Sequence, residues 1–255
     1  MENIANIRSA VIGDVHGCSE ELRELVEVLQ ETRPGIRIIL TGDLLTKGPD
    51  PCGVIRAIAE FRREGINLIS VCGNQDLRAF ALLIRHSMGF PTARTSKADR
   101  SLITRIKNEG LTAATLELLG ETVDRIEANA GVATVVHAGI RPEAGIAGTT
   151  THDKIHLKPS GRAAPWWAEY DGHDGLVICG HRPVETPVRT GDVDRPFAVN
   201  VDTGCAGGGH LTAYLVEEDT FLSVESRQIK SRRRGGRDIN PTRIDLTQRT
   251  TGLTG

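Results

Sequence analysis

The sequence has none of the features typical of membrane, exported or disulfide-bonded proteins. No run of about 18 apolar residues occurs, so we expect no membrane-spanning helix. The first residues lack the basic stretch and apolar core of an export signal, and the five cysteines are scattered and form no CxxC pair. We therefore expect a cytoplasmic protein with reduced, at least partly buried thiols.

An excess of charge of one sign is also missing. The sequence has 31 Lys and Arg residues and 33 Asp and Glu residues, which gives a net charge of -2. This balance excludes nucleic-acid binding through bulk charge. The fractions of hydrophobic (39%) and charged (25%) residues exclude a wholly disordered chain. We expect one domain over residues 1–226 and a disordered tail over 227–255, whose Arg-rich run we interpret as solvated rather than bound to RNA.

Three successive units of strand, polar loop and helix open the sequence. Apolar runs at residues 9–12, 36–40 and 67–71 are each followed by a glycine and a polar residue, and then by an amphipathic segment. This pattern is typical of a parallel sheet, whose ligands gather at the carboxyl ends of the strands. Further along we expect a helical insert at about 86–120 that could overhang a site, a hairpin around Ala130-Gly131, a long loop over 139–161, and strands at 176–179, 197–201, 211–216 and 221–224.

Five polar loops carry the residues that can do chemistry: GDVHG (13–17), GDLLTKGP (42–49), GNQD (73–76), HAG (137–139) and GHRP (180–183). Asp14 and His16 are two residues apart, so both can point to one side of an extended turn. Carboxylate, imidazole and amide donors without thiolates suit divalent Mn, Fe, Zn or Ni, but not a structural zinc finger. Asp43 could bridge two such ions about 3.5–4 Å apart, which would clamp a phosphoryl group and activate water.

The order of these motifs resembles the calcineurin-like metallophosphoesterases, in particular the bacterial branch of the phosphoprotein-phosphatase type. The family pattern is GDxHG, GDxxDRG, GNH(E/D), HAG or HGG, and GH. The later segment NVDTGC (200–205) with its glycine-rich continuation resembles bacterial serine/threonine phosphatases and bis(5′-nucleosyl)-tetraphosphatases. The resemblance covers roughly residues 8–226. It implies an α/β fold of two mixed β-sheets sandwiched between helices, with a dinuclear centre at the edge.

The resemblance also implies a ligand set for two divalent ions, with Mn²⁺ expected first and Fe, Zn or Ni as alternatives. The first ion would be held by Asp14 and His16, Asp43 would bridge, and the second ion would be held by Asn74, His137 and His181. Asp202 should line the site. The residues expected to act in catalysis are Asp43, Lys47, Gln75 and Asp202.

Two departures from the family pattern concern the proton donor. The family has a histidine after the metal-bound asparagine, which protonates the leaving oxygen, but this sequence has Gln75. The aspartate that orients that histidine is replaced by Thr46. Gln75 can donate a hydrogen bond but cannot deliver a proton. Another acid, His86 or His210 for instance, could have taken over.

A third departure places Lys47 where the family has arginine. Lysine can still neutralise a phosphoryl oxygen, but as a point charge rather than a bidentate fork. Arg162 or Arg182 could supply the guanidinium, and Arg141 is a further candidate, although each could equally serve at the surface. Trp166 and Trp167 could stack on a base or an aryl group, but a core role for at least one of them is favoured.

These observations indicate a metal-dependent phosphohydrolase. Without a general acid, worth about 10²–10⁴-fold, a good leaving group is favoured, as in the anhydrides of dinucleoside polyphosphates. We therefore expect a small phosphorylated metabolite or nucleotide as substrate, with phosphoprotein as the second possibility. A pseudophosphatase that only binds a phosphorylated partner is the hypothesis from another class. It is disfavoured because all six expected ligands are present.

Overall fold

The computed structural model describes residues 8–90, 95–158 and 163–229. The strands are β1 (Ser9–Ile12), β2 (Arg37–Leu40), β3 (Leu68–Ser70), β4 (Ile126–Ala128), β5 (Ala133–Val135), β6 (Leu176–Cys179), β7 (Val188–Gly191), β8 (Pro196–Asn200), β9 (His210–Leu215) and β10 (Thr220–Glu225). The helices are α1 (Ser19–Thr32), α2 (Pro51–Arg63), α3 (Asn74–Ser87), α4 (Lys97–Asn108), α5 (Thr112–Gly120), α6 (Gly145–Gly148) and α7 (Thr151–His156).

The strands form two mixed sheets of five, which confirms the predicted fold class. Sheet one has the order β10-β9-β1-β2-β3, and its strands β1, β2 and β3 are parallel. Sheet two has the order β4-β5-β6-β8-β7, and its strands β5, β6 and β8 are parallel. The predicted hairpin is formed by β4 and β5, while β7 was not predicted.

Alternation along the central strands explains why the two sheets form a sandwich. In β1, Ala10 and Ile12 point to the helical side, whereas Val11 points to the second sheet. In β6, Ile178 packs between the sheets and Val177 packs on the far side. Because successive side chains of a strand point to opposite faces, strands that are apolar throughout must be covered on both sides.

The helices are divided unequally between the two outer faces. Helices α1, α2 and α3 bury their apolar faces on sheet one, and α4 and α5, which lie within residues 86–120, add Ile103, Ile106 and Leu118 to the same cluster. The far face of sheet two is covered by Trp166, Trp167 and their neighbours instead. No helix in the described part of the chain is long and apolar enough to cross a bilayer.

The segment expected as one long loop over 139–161 was predicted wrongly, because α6 and α7 lie within it. Helix α7 begins where the Thr150 hydroxyl accepts a hydrogen bond from Asp153 N at 3.1 Å. Helices of four and six residues are too short to show a 3.6-residue periodicity in the sequence.

Two glycines allow the carboxyl ends of the parallel strands of both sheets to meet. A side chain at Gly13, after β1, would come within 2.4 Å of Val201 O, and one at Gly180, after β6, within 2.2 Å of Asp14 Oδ1. Both distances are shorter than atoms can approach, so only glycine fits. The loops after β1, β2, β3, β5, β6 and β8 therefore converge on one place at the edge of the sandwich.

Candidate metal centre

Two loops of sheet one bring together the first group of candidate ligands. Asp14 and His16 follow β1, and Asp43 follows β2. His16 Nε2 lies 3.7 Å from Asp14 Oδ2 and 3.7 Å from Asp43 Oδ2. All three side chains are buried, so they form one compact donor set that a single cation could contact.

A second group forms around the other oxygen of Asp43. His137 Nε2 lies 3.6 Å from Asp43 Oδ1, 3.2 Å from Asn74 Oδ1 and 3.0 Å from His181 Nδ1. Asn74 begins α3, and the two histidines follow strands of sheet two. Asp43 thus stands between two donor groups, with one carboxylate oxygen toward each.

The backbone at this edge is held in a conformation that side chains seldom adopt. His16, Asp43, Lys47 and His181 have φ angles of 46°, 53°, 67° and 68°. Each such residue costs about 1–3 kcal/mol and persists only where the surroundings enforce it. Hydrogen bonds from His16 N to Asp43 O (2.8 Å) and from Gly48 N to His16 O (2.7 Å) fix these loops.

Asp14 carries the clearest sign that a cation belongs here. Its Oδ1 accepts hydrogen bonds from Thr41 Oγ1 and His181 N, both at 3.0 Å, but its buried Oδ2 has no hydrogen-bond partner among the described residues. Burial and the charges of Asp202 and Asp43 raise the pKa of Asp14 well above its usual range. A buried carboxylate oxygen without a partner is costly, and a bound cation would remove that cost.

The histidines present neutral nitrogens to the same space. Burial lowers the pKa of His16 to about 4 and that of His181 to about 3, and it also lowers the pKa of His137. His137 Nδ1 donates to Thr41 O at 2.7 Å, which places the lone pair on Nε2 toward Asp43, Asn74 and His181. Neutral imidazoles with this orientation are the form that binds metals.

Lys47 brings a positive charge into the first group. Its Nζ lies 2.5 Å from His16 Nε2, so the ammonium donates to the lone pair that a metal ion would use. The other ring nitrogen, Nδ1, is 3.1 Å from Thr46 Oγ1. Oxygen and nitrogen donors in two groups around a shared carboxylate fit a pair of borderline divalent cations.

The other predicted residues occupy different places. Asp202 is buried at the site, where burial raises its pKa to about 6, and its Oδ1 accepts from Gly204 N. The backbone N of Gln75 donates to Asp43 Oδ1 at 2.8 Å. Arg141 is held away by Asp153, with Nε to Oδ2 at 2.6 Å, and Arg162 lies outside the described residues.

Of the remaining candidates, only the two tryptophans have a settled role in packing. Trp166 and Trp167 are both in the core cluster of sheet two, and the guanidinium of Arg182 lies 5.6 Å from the Trp167 ring centre. His86 lies in the last turn of α3, and His210 begins β9.

Three residues that act on the site were given no role in the sequence analysis. The Asp76 carboxylate accepts from Leu44 N (2.8 Å) and Gly73 N (3.3 Å), and burial beside Asp43 raises its pKa to about 7. An acidic residue three positions after the N-cap of α3 can accept from the N-cap backbone N, and this spacing could have identified it. His156 is the last residue of α7 and Lys158 lies two residues beyond it, and their charges help to lower the pKa values of His137 and His181, respectively. They were missed because this segment was expected to be loop.

Comparison with known proteins agrees with this geometry. The family model described as calcineurin-like phosphoesterase matches residues 7–211. The chain is similar to proteins named bis(5′-nucleosyl)-tetraphosphatase (asymmetrical) from Oceanobacillus iheyensis, at 27% identity over 86% of this chain and 92% of the relative. A relative of the same name from Bacillus subtilis is 29% identical over 85% and 93%.

Solved structures support the fold. A crystal structure described as that of a candidate diadenosine tetraphosphatase has a TM-score of 0.62 at 22% identity and covers 86% of this chain and 93% of that chain. A metallophosphoesterase from Sphaerobacter thermophilus has a TM-score of 0.50 at 20% identity, over 87% and 90%. The protein is a metal-dependent phosphohydrolase, and the chain belongs to the calcineurin-like phosphoesterase family.

Proposed function

We propose that the protein hydrolyses a phosphoanhydride bond of a nucleoside polyphosphate, with a dinucleoside polyphosphate as the most suitable substrate. The observation that carries this proposal is the shared carboxylate of Asp43 between two buried donor groups, beside the unpartnered oxygen of Asp14. Asp14 and His16 would hold one Mn²⁺ ion, and Asn74, His137 and His181 the other. The bis(5′-nucleosyl)-tetraphosphatase names of the relatives support this class of substrate.

The chain's own residues would then have separate tasks. A pair of divalent ions, when bound, lowers the pKa of water and neutralises phosphoryl oxygens. The Lys47 ammonium adds a positive charge next to His16, where a phosphoryl group would carry its negative charge. Asp76 holds the Asp43 loop against α3 through Leu44 N and Gly73 N. It therefore keeps the shared carboxylate in place.

An anhydride suits this site better than an alkyl ester because of what Gln75 and Thr46 provide. Gln75 is half-buried and follows Asn74 of the second donor group, but its amide cannot give up a proton to a leaving oxygen. Thr46 is engaged with His16 Nδ1 rather than with a proton donor at position 75. A phosphate leaving group tolerates the loss of general-acid help, whereas a serine alkoxide does not.

The test is a phosphate- and nucleotide-release assay with added Mn²⁺ on diadenosine tetraphosphate, p-nitrophenyl phosphate and a phosphoserine peptide. We expect the first two to be hydrolysed and the peptide to be hydrolysed most slowly. Asp43→Asn should reduce the rates at least about 10²–10³-fold, the cost of removing one essential charge-stabilising group. The exposed Asp194→Asn is the matched control. Fastest turnover of the peptide would contradict the proposal, and equal turnover by Asp43→Asn would contradict the proposed site.

We also propose a cytoplasmic location. All five cysteines are free and buried in the structure, as expected for thiols that are kept reduced.

A further inference from the structure

A cleft of about 210 Å³ is lined in part by the loops that carry His137 and His181. Its wall includes Ala138, the residue after His137, and Arg182, the residue after His181. The same loops that supply two candidate metal ligands therefore also supply the near wall of the cleft. A molecule in the cleft would therefore contact the loops that carry His137 and His181.

The far wall of the cleft is apolar and contains flat rings. It is formed by Ile140, Leu157, Pro165, Trp166 and Trp167. Trp166 is locked in place because its Nε1 donates to Ala138 O at 3.1 Å and its ring fills the space that a side chain at Gly139 would need. The wall is thus rigid before any ligand arrives, which limits the entropy lost on binding.

Three cations line the cleft. Arg141 is paired with Asp153, the guanidinium of Arg182 lies 5.6 Å from the ring centre of Trp167, and Lys158 is exposed. Among the residues that the structure describes, no carboxylate forms a salt bridge with Arg182 or Lys158. Two carboxylates, Glu143 and Glu169, also line the cleft, and both are exposed. Cations without partners beside an apolar wall suit a ligand with a ring at one end and phosphates at the other.

The size of the cleft limits what the ring end can be. Sites for drug-sized ligands usually measure about 300–1,000 Å³, so a cleft of about 210 Å³ takes one ring system rather than a folded peptide. We propose that this cleft holds the purine ring of the substrate, while Arg182 and Lys158 hold the phosphates that run from the ring to the metal centre. The inference rests on the proposed hydrolysis of nucleoside polyphosphates and adds the residues that select the nucleoside.

The chain offers a direct readout, because Trp166 and Trp167 are its two tryptophans and both line the cleft. Titration with AMP should change the tryptophan fluorescence in a saturable way. Ala164 is exposed and lines the cleft, whereas Ala168 is exposed nearby but does not. Ala164→Phe should fill the cleft and weaken AMP binding about tenfold, the scale of losing one stacked base, and Ala168→Phe is the matched control. Arg182→Gln should also weaken AMP binding, without filling the cleft.

Hydrolysis separates the two proposals. The ratio of KM for diadenosine tetraphosphate to KM for inorganic tripolyphosphate should rise about tenfold in Ala164→Phe and keep the wild-type value in Ala168→Phe. If wild type hydrolyses neither compound, the proposed function fails. The fluorescence titration still tests whether AMP binds in the cleft, because it does not depend on hydrolysis. If AMP leaves the fluorescence unchanged, or binds Ala164→Phe as well as wild type, the cleft assignment is overturned. If Ala164→Phe weakens the binding of phenyl phosphate as much as the binding of AMP, the choice of a purine is overturned.

Discussion

The two halves of the candidate metal centre are built in different ways. The first half, Asp14, His16 and Asp43, comes from two neighbouring parallel strands of sheet one. The second half adds His137 and His181 from sheet two, so it exists only when the sheets pack on each other. The first half concentrates negative charge, whereas the second half is mainly neutral imidazole. The comparison shows how one carboxylate, Asp43, can join a locally built site to one built by tertiary packing.

The largest expected effect comes from breaking the link between the halves. Asp43→Asn should reduce the metal content from about two ions per chain to near zero, because it removes the donor that both ions would share. His16→Asn and His181→Asn should each lose about one ion. Elemental analysis after dialysis measures this, with Asp194→Asn as the control. Two ions retained by Asp43→Asn would show that the halves are independent.

The charge of Asp202, which belongs to neither half but acts on Asp14, predicts a dependence of stability on pH. The folded-state pKa of Asp202 is raised to about 6 from 3.8, so the folded protein carries an unfavourable charge above pH 6 that is absent below the unfolded pKa. Asp202→Asn should therefore stabilise the metal-free protein at pH 8 by up to about 3 kcal/mol, since one pKa unit is 1.36 kcal/mol. The gain should shrink as the pH falls toward 4. Urea unfolding in EDTA measures it, and a gain that grows at low pH would contradict the assignment.

Support from Thr46 distinguishes the first half from the second. Its hydroxyl is 3.1 Å from His16 Nδ1, whereas His137 is oriented by a backbone carbonyl that no substitution removes. Thr46→Val should weaken binding of the first ion about 10–100-fold, the usual cost of losing a group that orients a metal ligand. Thr46→Ser should restore it. Calorimetric titration with Mn²⁺ measures the affinity of both variants. If Thr46→Val binds Mn²⁺ as tightly as wild type, the hydroxyl has no part in binding.

The smallest effect is expected at the second half, from Gln75→His. An imidazole there could protonate a leaving oxygen, so the rate on alkyl phosphates should rise more than the rate on aryl phosphates. We expect a difference of about tenfold, below the usual 10²–10⁴-fold for general acids, because Thr46 gives the new imidazole no carboxylate partner. Gln75→Asn is the control. An equal effect on both substrates would contradict our account of the leaving group.

The meeting of the candidate ligands at one edge could be predicted from the sequence because these residues follow apolar strands at glycine turns. Asp14, Asp43 and His181 each have a glycine directly before them, and strand order alone brings such loops to one edge. The cleft could not be predicted in this way. Lys158 lies just after α7, which is too short to show a period, and the cleft wall at Trp167 depends on how sheet two is covered. Residues brought together by packing, rather than by strand ends, leave little trace in the sequence pattern.

The left-handed backbone at His16, Asp43 and His181 creates a conflict between thermal stability and the binding of cations. Glycine would relax the chain at each of these positions, yet glycine has nothing to offer a cation. Selection for thermal stability alone would therefore favour glycine at these positions and remove three candidate metal ligands. These three positions carry donor side chains instead, which indicates that metal binding was selected there at a cost in stability.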